Sequence, residues 1–192
     1  MTNVKLCDLI DDTLTDKNTY HSYLDTYETL FASKKDTVKM VLEVGIQAGG
    51  SIKLWLDYFT NATIYGIDVN ALESKVPSIL VDNPSVKLYN NIDAYNSGFV
   101  MDTFVNMGIN FDILIDDGPH TLISMVHFIM RYLPLLKDDG ILVIEDIPEY
   151  EWINILTEAV PVELRKFIQV FDLRKNKNRY DDIMFVINLT LG

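Results

Sequence analysis

The sequence predicts an α/β domain built on a doubly wound, mostly parallel seven-stranded sheet. Three observations predict it. Short apolar runs alternate with amphipathic stretches along most of the chain. The runs are apolar throughout rather than at every second residue, which marks strands buried on both faces. The last two runs are too close in sequence for a crossover helix, so the sheet must close with an antiparallel pair. Strands alternating with helices in this way wind a parallel sheet with helices on either side.

The elements follow in order. Val38-Lys39-Met40-Val41-Leu42-Glu43-Val44-Gly45 reads as the first strand. A helix from Ser51 to Phe59 carries Ile52, Leu54, Trp55, Tyr58 and Phe59. Thr63 to Asp68, Val86 to Tyr89 and Phe111 to Asp116 read as strands two, three and four. A long helix from Thr121 to Leu136 carries Met125, Phe128, Ile129, Tyr132 and Leu133, and Gly140 to Glu145 is the fifth strand. Phe167 to Leu173 and Asp182 to Asn188 are two more strands, separated only by Arg174 to Asp181. A parallel sheet closed by such a hairpin is the layout of the Rossmann-like class I S-adenosylmethionine (SAM) methyltransferase fold. Residues 1–36 read as a helical N-terminal segment, with Tyr20, Tyr23, Leu24, Tyr27 and Leu30 at helical spacing. One domain spans residues 1–192.

Composition narrows the function. The chain has 192 residues, and 28 Asp+Glu against 16 Lys+Arg give a formal net charge of −12. Phosphate backbones and anionic membranes select basic faces, so neither nucleic acid nor a membrane is expected as a partner. A hydrophobic share of 48% excludes a disordered chain, and a single Cys excludes a disulfide framework or a Cys-built zinc site. No apolar run approaches the roughly 20 residues of a membrane span. The first twelve residues lack the apolar stretch of a signal peptide, so a cytoplasmic location is expected.

The loop Glu43-Val44-Gly45-Ile46-Gln47-Ala48-Gly49-Gly50-Ser51 follows a strand and opens a helix, as loops that approach a ligand closely do. Gln47 stands where a nicotinamide fingerprint needs its second glycine, which weakens a dehydrogenase reading. Glu43 fits a ligand with an amino group, and Asp68, ending the second strand, fits a ribose diol. Both also fit as ordinary strand-end acids.

Asp116-Asp117-Gly118-Pro119-His120 closes strand four and Glu145-Asp146 closes strand five. In a parallel sheet both doublets lie at the carboxyl edge, where ligands bind. Like charges held together there repel unless a cation sits between them. Oxygen ligands without Cys suit Mg²⁺, Ca²⁺ or Mn²⁺ rather than zinc. Asp116 or Asp117 could instead cap the helix that starts near Thr121. His120, at the mouth of the same site, has the ordinary pKa of a general base at neutral pH. His127 falls inside a helix and reads as structural, while His21 stays ambiguous.

These motifs together resemble a family. Leu42-Glu43-Val44-Gly45, Gly49-Gly50-Ser51-Ile52-Lys53-Leu54-Trp55, Tyr58-Phe59, Ile64-Tyr65-Gly66-Ile67-Asp68, Ile115-Asp116-Asp117-Gly118-Pro119-His120 and Val143-Ile144-Glu145-Asp146 are similar to the metal-dependent SAM O-methyltransferases of sugars. These are the mycinamicin and macrocin type, related to the cephalosporin hydroxylase and rhamnosyl O-methyltransferase group. Thr15-Asp16-Lys17 with His21, Tyr23 and Tyr27 resembles a segment that precedes the core in such proteins, often near the cofactor. The resemblance implies that Asp117, Glu145 and Asp146 hold a divalent metal, with Mg²⁺ expected, and that His120 is the base. It implies that Glu43, Gly45, Gly49, Ser51, Asp68 and Asp116 bind SAM, with Asn91, Ile92 and Asp93 near the adenine. Two departures stand out. Pro119 replaces the family's common Ser, and the large N-terminal domain of the macrolide enzymes has no counterpart in these residues.

The function this implies is methyl transfer from SAM to a hydroxyl of a small-molecule sugar, such as a deoxysugar of the rhamnose kind. A catechol-type or other small-molecule O-methyltransferase is the alternative, with Tyr150 and Trp152 offering an aromatic slot. A non-catalytic SAM-binding protein is a third reading. A homodimer is left open as the assembly.

Overall fold

The computed structural model describes residues 4–72 and 74–192; Met1–Asn3 and Glu73 lie outside the described residues. In chain order the elements are α1 (Leu6–Leu9), α2 (Leu24–Phe31), β1 (Met40–Val44), α3 (Gly50–Tyr58), β2 (Thr63–Asp68), α4 (Ser78–Val81), β3 (Val86–Asn90), α5 (Ser97–Val100), β4 (Phe111–Asp116), α6 (Leu122–Tyr132), β5 (Leu136–Ile144), α7 (Trp152–Ala159), β6 (Ile168–Asp172), α8 (Arg174–Lys177) and β7 (Ile183–Asn188). The strands form one sheet in the order β3-β2-β1-β4-β5-β7-β6. β1 to β5 pair in parallel, while β7 lies antiparallel to both β5 and β6. This is the class I methyltransferase fold expected from the alternation of runs.

The apolar runs explain the layers. β4 is buried at every position, because its side chains feed two cores in alternation. Leu114, with Leu42, Val44, Leu142 and Phe185, packs toward Phe128, Tyr132 and Leu156 of α6 and α7. Ile113 and Ile115, with Val41, Val143 and Val186, pack toward Tyr27 and Phe31 of α2 and Trp55 of α3. The order of strand addition reverses between β1 and β4: β2 and β3 build one way from β1, and β4 and β5 the other. A cleft opens outside the carboxyl ends at such a switch point.

Several boundaries differ from the sequence reading. The long helix ends at Tyr132, not Leu136, and a short 3₁₀ turn, Leu133–Leu135, follows. Pro134 sits in that turn, and a proline disfavours helical backbone in the residue before it. β5 accordingly starts at Leu136, opposite Phe111, and Lys137–Gly140 bulge out before pairing resumes at Ile141 opposite Ile113. Asp116 and Asp117 do not cap α6; the Thr121 side chain does, in a reciprocal box with Ser124.

The N-terminal segment is only partly helical. Between α1 and α2 the chain runs as a strap of turns. Asp11 accepts hydrogen bonds from the Thr13 backbone and hydroxyl, a local arrangement that competes with helix. Tyr20, expected on the helix face, lies outside α2 and is exposed, with the Arg179 guanidinium over its ring at 3.5 Å. The strap crosses the start of α3 so closely that a Cβ on Gly50 would lie 2.4 Å from the Leu14 carbonyl carbon. Gly50→Ala is therefore expected to push the strap outward and cost about 1–3 kcal/mol of stability, as overpacking does. Urea unfolding measures the loss, and faster proteolysis between residues 11 and 20 would locate it. An unchanged midpoint and cleavage rate would show that the close crossing has no energetic weight.

Candidate functional site at the carboxyl edge

The carboxyl ends of β1, β2, β4 and β5 surround a cavity of about 570 Å³. This is the size of a drug-sized ligand pocket. Leu14, Thr15 and Asp16 of the strap wall it on one side, and Gly45, Gln47 and Ser51 of the glycine loop on another. Among the described residues, five other than glycine hold φ between 45° and 58°: Asn178, and Gln47, Asn91, His120 and Asp146, which stand in loops at this edge. Such backbone costs about 1–3 kcal/mol per residue and clusters where function requires it.

Glycine is required where β1 turns into the loop. Gly45 has φ +97°, and a Cβ there would sit 2.1 Å from the Asp117 carbonyl oxygen. Only glycine lets the loop pass against the end of β4. Asp117 N–H in turn donates to the Val44 carbonyl, so the two strand ends are stitched together.

Asp68 lines the cavity, but backbone N–H groups already reach its carboxylate: Ile46 and Gln47 on one oxygen and Asn70 on the other. It orders the glycine loop as well as facing the space where a diol would lie. Ile92 and Asp93 line the cavity too, whereas Asn91 is exposed outside it. Gly49, φ +80°, is the N-cap of α3, and its missing side chain makes room for Val76 and Leu80 rather than for a ligand. Asp116 is buried away from the cavity and accepts the Tyr95 hydroxyl. Burial pushes its carboxyl up to about 7 despite that hydrogen bond.

Glu43 faces inward. Its carboxylate accepts Trp55 Nε1 at 2.9 Å and is fully buried beneath the loop, so it does not line the cavity as expected. The amino group that meets it belongs to the chain itself. Lys17 Nζ, 1% exposed, lies 3.3 Å from Glu43 Oε1 and 2.7 Å from Asp117 Oδ2, and it hydrogen-bonds Glu145 Oε2. Tyr27 OH takes the other Glu145 oxygen. The cation that the sequence required between the acid doublets is thus, on the inner side, an ammonium. Glu145, expected as a cavity-facing metal ligand, is turned away from the cavity by these two partners.

On the cavity side the group is Asp117, His120 and Asp146, with one ligand atom from each within 4.8 Å of the others. His120 Nε2 lies 3.2 Å from Asp117 Oδ1 and 3.5 Å from Asp146 Oδ2. Behind it, Asp146 Oδ1 accepts Tyr23 OH and lies 3.2 Å from His21 Nδ1, and the same nitrogen meets Asp182 at 2.5 Å. Burial pushes the Asp117 carboxyl up, but the Lys17 and His120 charges outweigh it and hold it down at about 2. Burial lowers the His120 imidazole, but hydrogen bonding to Asp117 and the Asp117 and Asp146 charges leave it raised. Burial is the main cause holding Asp146 and Glu145 up.

The sequence reading missed Lys17 as an internal cation, and His21, Tyr23 and Tyr27 as braces of the acids. The only signal for them was the stretch from Thr15 to Tyr27 in the family resemblance. Tyr150 and Trp152 do not form an aromatic slot: neither lines the cavity, and Trp152 packs against the core.

The Asp116 geometry makes a pH prediction. Its folded pKa lies above the ordinary 3.8, so between about pH 4 and 7 the folded state holds a proton that the unfolded state releases. Stability from this group is full below the unfolded value and falls as pH rises toward 7. Asp116→Asn carries no such proton, so its stability relative to the wild type should rise between pH 4.5 and 7.5, by about 1–4 kcal/mol. Urea denaturation at the two pH values measures it. A constant difference would mean that Asp116 is ionised in the folded protein.

The comparisons with known proteins agree with this architecture. No protein-family model matches the chain. It is 28% identical over 149 residues to the 8-demethyl-8-α-L-rhamnosyl tetracenomycin-C 2'-O-methyltransferase of Streptomyces olivaceus, covering 71% of this chain and 36% of that protein. It is 25% identical over 154 residues to the mycinamicin VI 2''-O-methyltransferase of Micromonospora griseorubida, covering 74% of this chain and 36% of that protein. The chain therefore spans about a third of the length of these curated relatives. Among solved structures, MycE methyltransferase from the mycinamycin pathway, in complex with Mg, SAH and mycinamycin VI, superposes with a TM-score of 0.73 at 21% identity, over 96% of this chain and 53% of that one. In sequence the chain resembles sugar O-methyltransferases, and in structure it has the class I methyltransferase fold.

Proposed function

We propose that this chain carries the catalytic domain of a SAM-dependent, divalent-metal-assisted O-methyltransferase that acts on a sugar hydroxyl. The observation that carries the reading is the convergence of Asp117 Oδ1, His120 Nε2 and Asp146 Oδ2 at the wall of the cavity, on the edge where the fold places its ligand. The similarity to proteins named as rhamnosyl and mycinamicin O-methyltransferases supports the choice of acceptor.

The residues present fit both groups the reading requires. Two carboxylate oxygens facing a cavity, with no thiol nearby, are a hard oxygen-rich donor set. Mg²⁺ commonly takes only one or two carboxylates and fills its other positions with water and substrate. Asp117 and Asp146 would hold it, leaving His120 free as the base; Nε2 cannot donate its lone pair to a metal and accept a proton at once. A divalent cation there supplies Lewis-acid polarisation of the acceptor hydroxyl. SAM would lie along Gly45, Ser51, Asp68, Ile92 and Asp93, and the strap residues Leu14 to Asp16 would exclude water from its open side. His120 Nε2 would accept the acceptor hydroxyl's proton, and bound SAM would supply the electrophilic methyl and leave as S-adenosylhomocysteine. The raised basicity of His120 comes mainly from the same two carboxylates, and a divalent cation held between them would counter that effect. The net charge of −12 supports a small-molecule acceptor over a nucleic acid, and a cytoplasmic setting suits a SAM-using enzyme. Among the described residues no helix is long and apolar enough to cross a membrane.

Two measurements test the reading. Transfer of tritiated methyl from SAM to a panel of deoxysugar glycosides and nucleotide sugars should require Mg²⁺ or Mn²⁺ and stop in EDTA; full activity in EDTA would remove the metal from the mechanism. His120→Ala should lower kcat by about 10²–10⁴-fold while Mn²⁺ affinity stays within threefold, as expected of a base. A variant that loses Mn²⁺ binding in parallel with activity would make His120 a ligand instead.

A further inference from the structure

We infer that Lys17 is the positioning residue of this site: its ammonium ties Glu43, Asp117 and Glu145 together from the inside and so aims the outer oxygen of Asp117 at the cation position. The inference rests on the metal-assisted reading above and deepens it.

The geometry is specific. Lys17 comes from the strap, whereas its partners come from β1, the loop after β4 and the loop after β5. The Asp117 carboxylate is divided between two neighbours. Oδ2 accepts Lys17 Nζ at 2.7 Å, and Oδ1 faces His120 Nε2 at 3.2 Å on the cavity side. Fixing one oxygen fixes the plane of the other. Glu145 is held on both oxygens, by Lys17 and Tyr27, and Glu145 N–H donates to the Asp116 carbonyl, so the β5 end is tied to the β4 end beside it. Asp146 follows directly in the chain with φ +52°, so its placement depends on Glu145. The outward oxygen of Asp117 thus traces back to one ammonium that touches neither the cavity nor the solvent, and Asp146 depends on it in part, through Glu145, beside its own braces Tyr23 and His21. Supporting residues of this kind, one step behind the ligands, typically govern metal affinity by 10–100-fold.

The alternative is a lysine that merely balances charge, and the two roles predict opposite signs. A positive charge beside a dication site opposes binding, so removing a pure charge-balancer would strengthen Mn²⁺ binding. Removing a positioning residue weakens it. The experiment is Mn²⁺ titration followed by electron paramagnetic resonance, on the wild type and on Lys17→Met, with circular dichroism to verify folding. Lys17→Met should bind Mn²⁺ at least about tenfold more weakly. Equal or tighter binding overturns the inference. Should Lys17→Met fail to fold, Lys17→Met with Glu43→Gln keeps the net charge of the cluster. It too must bind at least about tenfold more weakly, and affinity close to the wild type overturns the inference. A wild-type protein that binds no Mn²⁺ overturns the metal-assisted reading and this inference with it, whereas normal wild-type binding with an unaltered variant overturns the inference alone.

Discussion

Lys17 Nζ is withdrawn from water, and two of the three carboxylates that compensate it, Glu43 and Glu145, are withdrawn from water as well. Such an arrangement is costly to assemble, because each ion loses its hydration, and still more costly to break, because one ion is then left buried and unpaired. The cluster therefore has to form whole. It spans three elements of the sheet edge and the strap, which makes the strap part of the domain rather than a tail. Without it the parallel register would leave Glu43 and Glu145 facing the α2 and α3 side of the sheet with no opposite charge, and they would have to take up protons.

The close approaches around the cluster follow from that requirement. The strap must lie low over α3 to deliver Lys17, and Gly50 is the residue whose missing side chain permits it. β1 and β4 must end side by side, and Gly45 permits that. Aromatic residues complete the inner wall. Tyr23 and Tyr27 donate to Asp146 and Glu145, and Trp55 donates to Glu43, so polar groups that would otherwise be orphaned in an apolar layer are satisfied. Tyr27 also stacks edge-on against Trp55 at 5.1 Å, so the same side chains serve both the core and the acids. Site and core are not separable here: the second apolar layer is built from the residues that hold the carboxylates.

What was legible in the sequence follows the range of the interaction involved. The sheet was legible because its signal is local: β2 and β4 lie where their apolar runs place them, to the residue. The hairpin was legible because Arg174 to Asp181 is too short to cross over, and β6 and β7 do pair antiparallel. The end of α6 was misread because apolar spacing continues through Leu133 and Leu135 although Pro134 stops the helix. The acid doublets were placed correctly at the carboxyl edge, since strand ends carry them there. Which oxygen faces which cation was not legible. Lys17 meets Asp117 across 100 residues and Glu145 across 128, and no periodicity spans such a distance. Glu43 shows the limit best. A buried strand-end acid does seek an amino group, as its residue type suggests, but the structure supplies one from the strap, which spacing alone could not indicate.

The division of the Asp117 carboxylate gives the acidic edge its chemical sense. Its inner oxygen faces a permanent cation and its outer oxygen faces the cavity, so its pKa is held down at about 2 and it is ionised near neutral pH, while its neighbours are pushed upward by burial. An acid whose charge is secured from behind is ready to receive a dication without first losing a proton. Asp146 is secured differently, by Tyr23 and His21, and its left-handed backbone points its free oxygen to the same place. Two anionic oxygens, each held from behind by buried partners, define a cation position more firmly than two flexible surface acids could. That firmness lets the site make do with few protein ligands, leaving coordination positions open to an acceptor.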